Sequence, residues 1–191
     1  MLHADDYGYA VIVPIAGILA VLAAGALGYA TGGADGGAVA AIAVALGLGG
    51  VAGLAWTADA VVGSPSRTRV ASILAGGLAV VGWAVAPTSV LDASVPLWAY
   101  VGGISLVGLL VGVACDSPVC GLWHGLLAGG TGGVLFVYVA IYESFTMQPE
   151  LDAIVLIAGV FAPLAFALAA GFGGAVGVST LAAVWTRRVS E

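Results

Sequence analysis

Long apolar runs separated by short polar breaks organise this chain. The runs cover residues 9–30, 37–56, 70–86, 95–114, 121–142 and 153–185, and the first two are separated by the glycine-rich break Gly32–Gly36. A helix needs about 20 apolar residues, within a range of about 17 to 25, to cross the hydrocarbon core of a bilayer. The pattern therefore predicts an all-α fold, a polytopic transmembrane helical bundle of about six spans, in one membrane domain over residues 1–191.

The last run is longer than one span requires. A single helix over residues 153–185 would be about 50 Å long at a rise of about 1.5 Å per residue. The sequence allows either one long helix kinked at Pro163 or two short helices that turn at Gly171–Gly174.

The arginines distinguish six spans from seven. Arg67 and Arg69 lie between the second and third runs, and Arg187 and Arg188 lie near the C-terminus. Cytoplasmic loops of membrane proteins carry an excess of Lys and Arg. Six spans place both pairs in the cytoplasm, whereas seven would place the C-terminal pair outside. We therefore predict about six spans in the cell membrane, with both termini cytoplasmic and the turn at Asp35 outside.

A weak internal similarity bears on how the helices are arranged. Ala16–Val21 resembles Ala75–Val80 in sequence and, more loosely, Ala128–Gly130, at a period of about 55 residues. Each segment lies in the first helix of a predicted pair. The similarity indicates three tandem helical hairpins.

Composition agrees with the membrane assignment and excludes some functions. The chain is 62% hydrophobic and 7% charged, whereas about a quarter of the residues in soluble domains are charged. It has no Lys and an acidic net charge of −6, which is typical of proteins from organisms that live at high salt. The absence of Lys excludes a retinal Schiff base, and the absence of a basic patch excludes nucleic-acid binding.

One cluster of side chains is a candidate functional site. Cys115 and Cys120 flank the turn at Pro118, and His124 follows one helical turn after Cys120. Three interpretations remain open. The residues are two buried thiols with a His that bonds to a neighbouring helix, a disulfide across Pro118, or ligands for Zn²⁺ or another soft metal ion. The predicted cytoplasmic position of this loop counts against the disulfide. The sequence does not identify a cofactor.

Rows of small residues at four-residue spacing predict close helix packing, because helix backbones approach closely where side chains are small. The row in the fifth run is made of glycines alone. The rows are Ala16, Ala20, Ala24 and Gly28 in the first run, Gly37, Ala41, Ala45, Gly49 and Gly53 in the second, and Gly121, Gly125, Gly129 and Gly133 in the fifth.

These features favour a structural or accessory subunit that packs in the bilayer as a homo-oligomer or in a larger membrane complex. The size, span number and Ala16–Ala20–Ala24 face also resemble the substrate-binding subunits of energy-coupling-factor transporters. That resemblance implies a small-solute transporter component whose alanine face meets its partner. The paired glycine-rich helices resemble the HdeD-like membrane proteins as well. A third hypothesis is a membrane enzyme or metal protein that uses Cys115, Cys120 and His124.

Overall fold

The computed structural model describes residues 4–89, 95–147 and 152–189, and these ranges contain helices and no strands. The helices are α1 (Ala4–Val62), α2 (Arg67–Ser89), α3 (Leu97–Gly112), α4 (Pro118–Met147) and α5 (Asp152–Val189). Stretches of α1, α2, α4 and α5 are long and apolar enough to cross a membrane, and α3 is a shorter apolar helix. The all-α class is confirmed, and the helices are of the kind that spans membranes.

α1 consists of two antiparallel arms. Gly33 has φ 70° and ψ −159° and interrupts the helical backbone, in a region of conformational space that is essentially restricted to glycine. A Cβ atom on Gly25 would lie 3.5 Å from the Cβ of Ala41, whereas a straight helix would hold these positions about 24 Å apart. Residues 4–32 (the first arm) and 34–62 (the second arm) therefore form a hairpin, whose turn lies in the predicted break between the first two runs.

The last run, residues 153–185, forms part of one helix. α5 extends from Asp152 to Val189, contains Pro163 and is helical through Gly171–Gly174. Of the two alternatives that the sequence allowed, the structure shows the single long helix.

Several helix ends differ from the predicted runs. α2 does not end at Pro87 but continues to Ser89, because a proline removes one backbone hydrogen bond and weakens a helix without always ending it. α3 is shorter than the run 95–114. The predicted break at Asp92 lies outside the described residues.

α4 is longer than the run 121–142 at both ends. It begins at Pro118, since the first helical position needs no N–H donor and suits proline. It continues over Glu143, which the sequence placed in a loop, to Met147. A charged residue marks the end of an apolar run but does not end a helix. Residues 148–151 of that predicted loop lie outside the described residues.

α4 lies at the centre of the bundle. Within its apolar stretch 61% of the residues are buried, compared with 22% in α1. Large apolar side chains such as Leu19, Leu78, Leu110 and Phe172 are exposed on the outer helix faces. An apolar outer surface of this kind suits a protein surrounded by lipid.

One end of the bundle gathers three parts of the chain. Val62, at the end of α1, packs against Cys115, Cys120 and Val178 of α5. Near the start of α2, Arg69 donates a hydrogen bond to the carboxylate of Asp116, with an N···O distance of 2.7 Å. The connections 63–66 and 113–117 and the C-terminal part of α5 therefore lie at the same end, here called the cysteine end.

Candidate functional site

The connection between α3 and α4 positions the cysteine cluster. Ser117 caps α4: its Oγ accepts a hydrogen bond from the backbone N–H of Cys120 at 3.2 Å, and Pro118 takes the first helical position. This start places Cys120 in the first turn of α4 and His124 one turn later on the same face.

Three potential ligand side chains converge there and are almost completely buried. Cys115 is 8% exposed, Cys120 6% and His124 3%. One ligand atom from each lies within 4.8 Å of the other two. The predicted grouping of Cys120 with His124 follows from helix geometry, but the short connection from α3 is what brings Cys115 to them. Among the described residues, no other group of three or more His, Cys, Asp and Glu side chains lies close enough together to hold a metal ion.

The His124 ring has one bonded nitrogen and one free nitrogen. Nδ1 lies 2.8 Å from the carbonyl oxygen of Cys120 and 3.5 Å from its Sγ. Because a carbonyl oxygen can only accept, the shorter contact indicates that Nδ1 carries the hydrogen and Nε2 the lone pair. Nε2 is buried and has no hydrogen-bond partner in the described part of the chain. Such a group is costly unless something binds it.

Burial keeps Cys115 protonated. Burial first, and then the hydrogen bond with Cys120 and the proximity of that thiol, raise the pKa of Cys115 to about 12, although the Arg69 cation acts in the opposite direction. At neutral pH Cys115 is therefore a thiol and not a reactive thiolate.

The cluster bears on the alternatives that the sequence left open. Both cysteines are free thiols. The predicted hydrogen bond from His124 to a neighbouring helix is not made by Nδ1. Instead, Nδ1 bonds to the carbonyl oxygen of Cys120 in its own helix. The nearby Asp116 carboxylate is paired with Arg69 and is 91% exposed, so it points away from the buried ligands.

The glycine row of α4 lies against α5. A Cβ on Gly121 would lie 2.5 Å from the carbonyl oxygen of Gly174, and one on Gly125 would meet the backbone of Ala170. Further along, a Cβ on Gly129 would meet the backbone of Phe166 and Ala167, and one on Gly133 would meet Pro163 and Ala162. Along this line the two helices are in contact backbone to backbone.

A second glycine row, which was not among the rows predicted from the sequence, continues this contact into α3. A Cβ on Gly108 would meet the backbone of Ala170, and one on Gly112 would lie 2.7 Å from the Cα of Gly174. Gly108 and Gly112 are four residues apart, so the spacing rule that found the α4 row could also have found this one. Close to the cysteine end, α3 and α4 thus each contact the backbone of α5 directly at glycine positions.

The rows in α1 are only partly covered. Ala24 and Gly28 are buried, and a Cβ on Gly28 would lie 2.7 Å from the Cβ of Ala40 in the second arm. Ala16 is exposed and Ala20 is half-buried. Across the hairpin, Gly49 and Gly53 are exposed, and a Cβ on either would meet nothing within 4 Å.

An apolar groove lies beside these exposed glycines. It has a volume of about 610 Å³ and lies between the second arm and α5, lined by residues that include Gly50, Gly53, Trp56, Val160 and Leu164. Small-molecule sites have similar volumes but place a few polar groups to orient the ligand. Here Thr57 supplies a hydroxyl, and that hydroxyl bonds to carbonyls of its own helix. The lining suits an apolar surface better than a water-soluble substrate.

Comparisons with known proteins identify no relative of this chain. The chain matches no protein-family model, no curated protein and no solved structure. The resemblances to energy-coupling-factor subunits and HdeD-like proteins therefore rest on layout and residue spacing.

Proposed function

We propose that this chain is a six-span membrane protein that acts as a structural or accessory subunit, and that it assembles with a second copy of itself through the exposed face of the second arm. The observation that supports this proposal is the bare backbone at Gly49, Gly50 and Gly53, where an added Cβ would meet nothing within 4 Å.

The contrast with the other glycine rows supports an interface. The row from Gly121 to Gly133 meets the backbone of α5, and Gly108 and Gly112 meet it from α3. Glycine in an exposed helix costs about 1 kcal/mol relative to Ala, so an uncovered group of three calls for a packing role outside the protomer.

A second copy fits this face for a geometric reason. Gly49 and Gly53 form the Gly-x-x-x-Gly spacing with which two identical transmembrane helices pack on each other. A two-fold interface brings the same surface patch together from both subunits. Two bare faces allow the closest approach, which matters because van der Waals contact drives helix association in lipid.

The oligomeric state tests this interface. We expect the wild-type protein, gently solubilised, to give a dimer in native mass spectrometry, and Gly53→Leu to give a monomer. Gly102→Leu serves as the matched control, because Gly102 is also exposed with nothing within 4 Å of its Cβ position, and it should remain dimeric.

Three outcomes would contradict the homodimer. A wild-type monomer would do so, as would a dimer that both variants lose or both keep. A wild-type monomer bound to a different protein in fixed ratio would retain the accessory role but overturn the second copy as occupant.

The span number and sidedness are part of the proposal. The hairpin at Gly33 lets α1 supply two spans, and α2, α4 and α5 supply three more. The proposal of six spans adds α3, whose 16 residues fall just short of the usual range of about 17 to 25. The connection that precedes Arg67 and the C-terminal part of α5 both lie at the cysteine end. This shared end supports a single cytoplasmic side for both arginine pairs.

Cysteine labelling tests the topology. With a membrane-impermeant thiol reagent, we expect Ser66→Cys to react only from the cytoplasmic side and Asp35→Cys only from outside, since both positions are exposed. Ser190→Cys, beyond the described residues, should react from the cytoplasmic side. Wild type, whose two cysteines are buried, gives the background. Labelling of Ser66→Cys and Asp35→Cys from one side, or of Ser190→Cys from outside, would disprove the six-span arrangement.

A further inference from the structure

We propose that Cys115, Cys120 and His124 bind one Zn²⁺ ion at the cysteine end of the bundle. This site goes beyond the assembly role proposed above and does not depend on it.

The ligand types and the distances between their ligand atoms are the main evidence for this site. Two thiolates and an imidazole are ligands that Zn²⁺ prefers. With Zn–S bonds of about 2.3 Å and Zn–N bonds of about 2.0–2.1 Å, tetrahedral geometry separates a sulfur from a nitrogen by about 3.6 Å and two sulfurs by about 3.8 Å. Cys120 Sγ already contacts the His124 ring, at 3.5 Å from Nδ1. The largest separation in the cluster is within 4.8 Å, so a contraction of about 1 Å completes the set.

The imidazole gains a partner that it otherwise lacks. Nε2 is buried without a hydrogen bond in the described residues. Binding through Nε2 uses its lone pair directly, while Nδ1 keeps the bond to a backbone carbonyl that commonly orients a metal-binding His. Binding through Nδ1 would instead break the bond to the Cys120 carbonyl and leave a buried Nε2–H without a partner, so the structure favours Nε2 as the ligand atom. In both cases His124 is one neutral donor.

Charge explains why a divalent ion suits the site. Zn²⁺ displaces one proton from each thiol, so two protons leave and the two thiolates balance the charge of the ion. A neutral complex avoids the large cost of an uncompensated buried charge, which a monovalent ion with two thiolates would leave. The N-terminus of α4, in whose first turn Cys120 lies, further favours a thiolate through its partial positive charge.

The coordination number has a chemical consequence. Three protein ligands occupy three tetrahedral positions and leave the fourth for water or another small ligand. Asp116 does not take it in this structure, because its carboxylate is exposed and bonded to Arg69.

Metal titration of the full-length solubilised protein tests the site. The protein is reduced, stripped with chelator, and titrated with Zn²⁺ against a competing indicator. We expect one Zn²⁺ per chain and an affinity reduced about a hundredfold or more in Cys120→Ser and in His124→Gln. Asp116→Asn is the matched control, since it alters the adjacent charge without removing a proposed ligand, and it should bind within about threefold of wild type.

Two further measurements keep the test independent of variant folding. Wild type should show thiolate-to-metal charge-transfer absorption with Co²⁺, and its melting temperature should rise with added Zn²⁺. Absence of stoichiometric binding by wild type, or binding that Cys120→Ser and His124→Gln both retain, would overturn the site. Stoichiometric binding of Cu⁺ but not Zn²⁺ would overturn the assignment of the ion.

Discussion

Gly129→Leu is expected to separate α4 from α5 and to lower the free energy of unfolding by about 3 kcal/mol, the upper part of the usual range for overpacked sites. A Cβ at this position already meets the Phe166 carbonyl and would lie 2.8 Å from the Cα of Ala167. Both neighbours are backbone, so rotation of a side chain cannot make room. The helices must move apart and lose van der Waals contact along the whole row.

Thermal unfolding in detergent, followed by circular dichroism, measures this effect. Gly129→Ala should also destabilise the protein, by less, because the Cβ alone collides. Gly102→Leu adds the same side chain where nothing lies within 4 Å, and it should leave the melting temperature nearly unchanged. Val134→Leu is a poorer control, since Val134 is 5% exposed and contacts its surroundings. Equal melting temperatures for Gly129→Leu and Gly102→Leu would contradict the backbone-to-backbone contact between α4 and α5 at Gly129.

Gly33→Ala is expected to destabilise the α1 hairpin by about 1–3 kcal/mol, the usual cost of a residue held in a disfavoured backbone region. The reason is conformational and not steric crowding. A Cβ at Gly33 would meet nothing within 4 Å, but φ 70° with ψ −159° is open only to glycine.

Gly82→Ala isolates that conformational effect. Gly82 is also exposed with open space around its Cβ position, but its backbone is helical, where Ala is favoured over Gly. The melting temperature should therefore fall in Gly33→Ala and stay level or rise slightly in Gly82→Ala. A similar small change in both variants would mean that the chain does not turn sharply at Gly33.

The apolar runs by themselves determined the class of this protein. In lipid, backbone polar groups must be satisfied within each segment, so long apolar runs form helices whatever their neighbours are. The sequence also located the break at Gly32–Gly36 and the shared helix face of Cys120 and His124, because both depend on local geometry. The helix ends predicted at Pro87 and at Glu143 were wrong, since a proline weakens a helix without always ending it and a charged residue can continue it.

Tertiary structure decided which of these local features meet. Rows of small residues occur in the first, second and fifth runs, yet the row through Gly129 is covered by α5 while Gly49 and Gly53 are exposed. Spacing alone cannot separate these cases, because a bare face is equally suited to a helix of the same chain and to one outside it. The approach of Cys115 to Cys120 and His124, and the pairing of Arg69 with Asp116, likewise depend on how α3, α4 and the α1–α2 connection come together at one end, which no local pattern encodes.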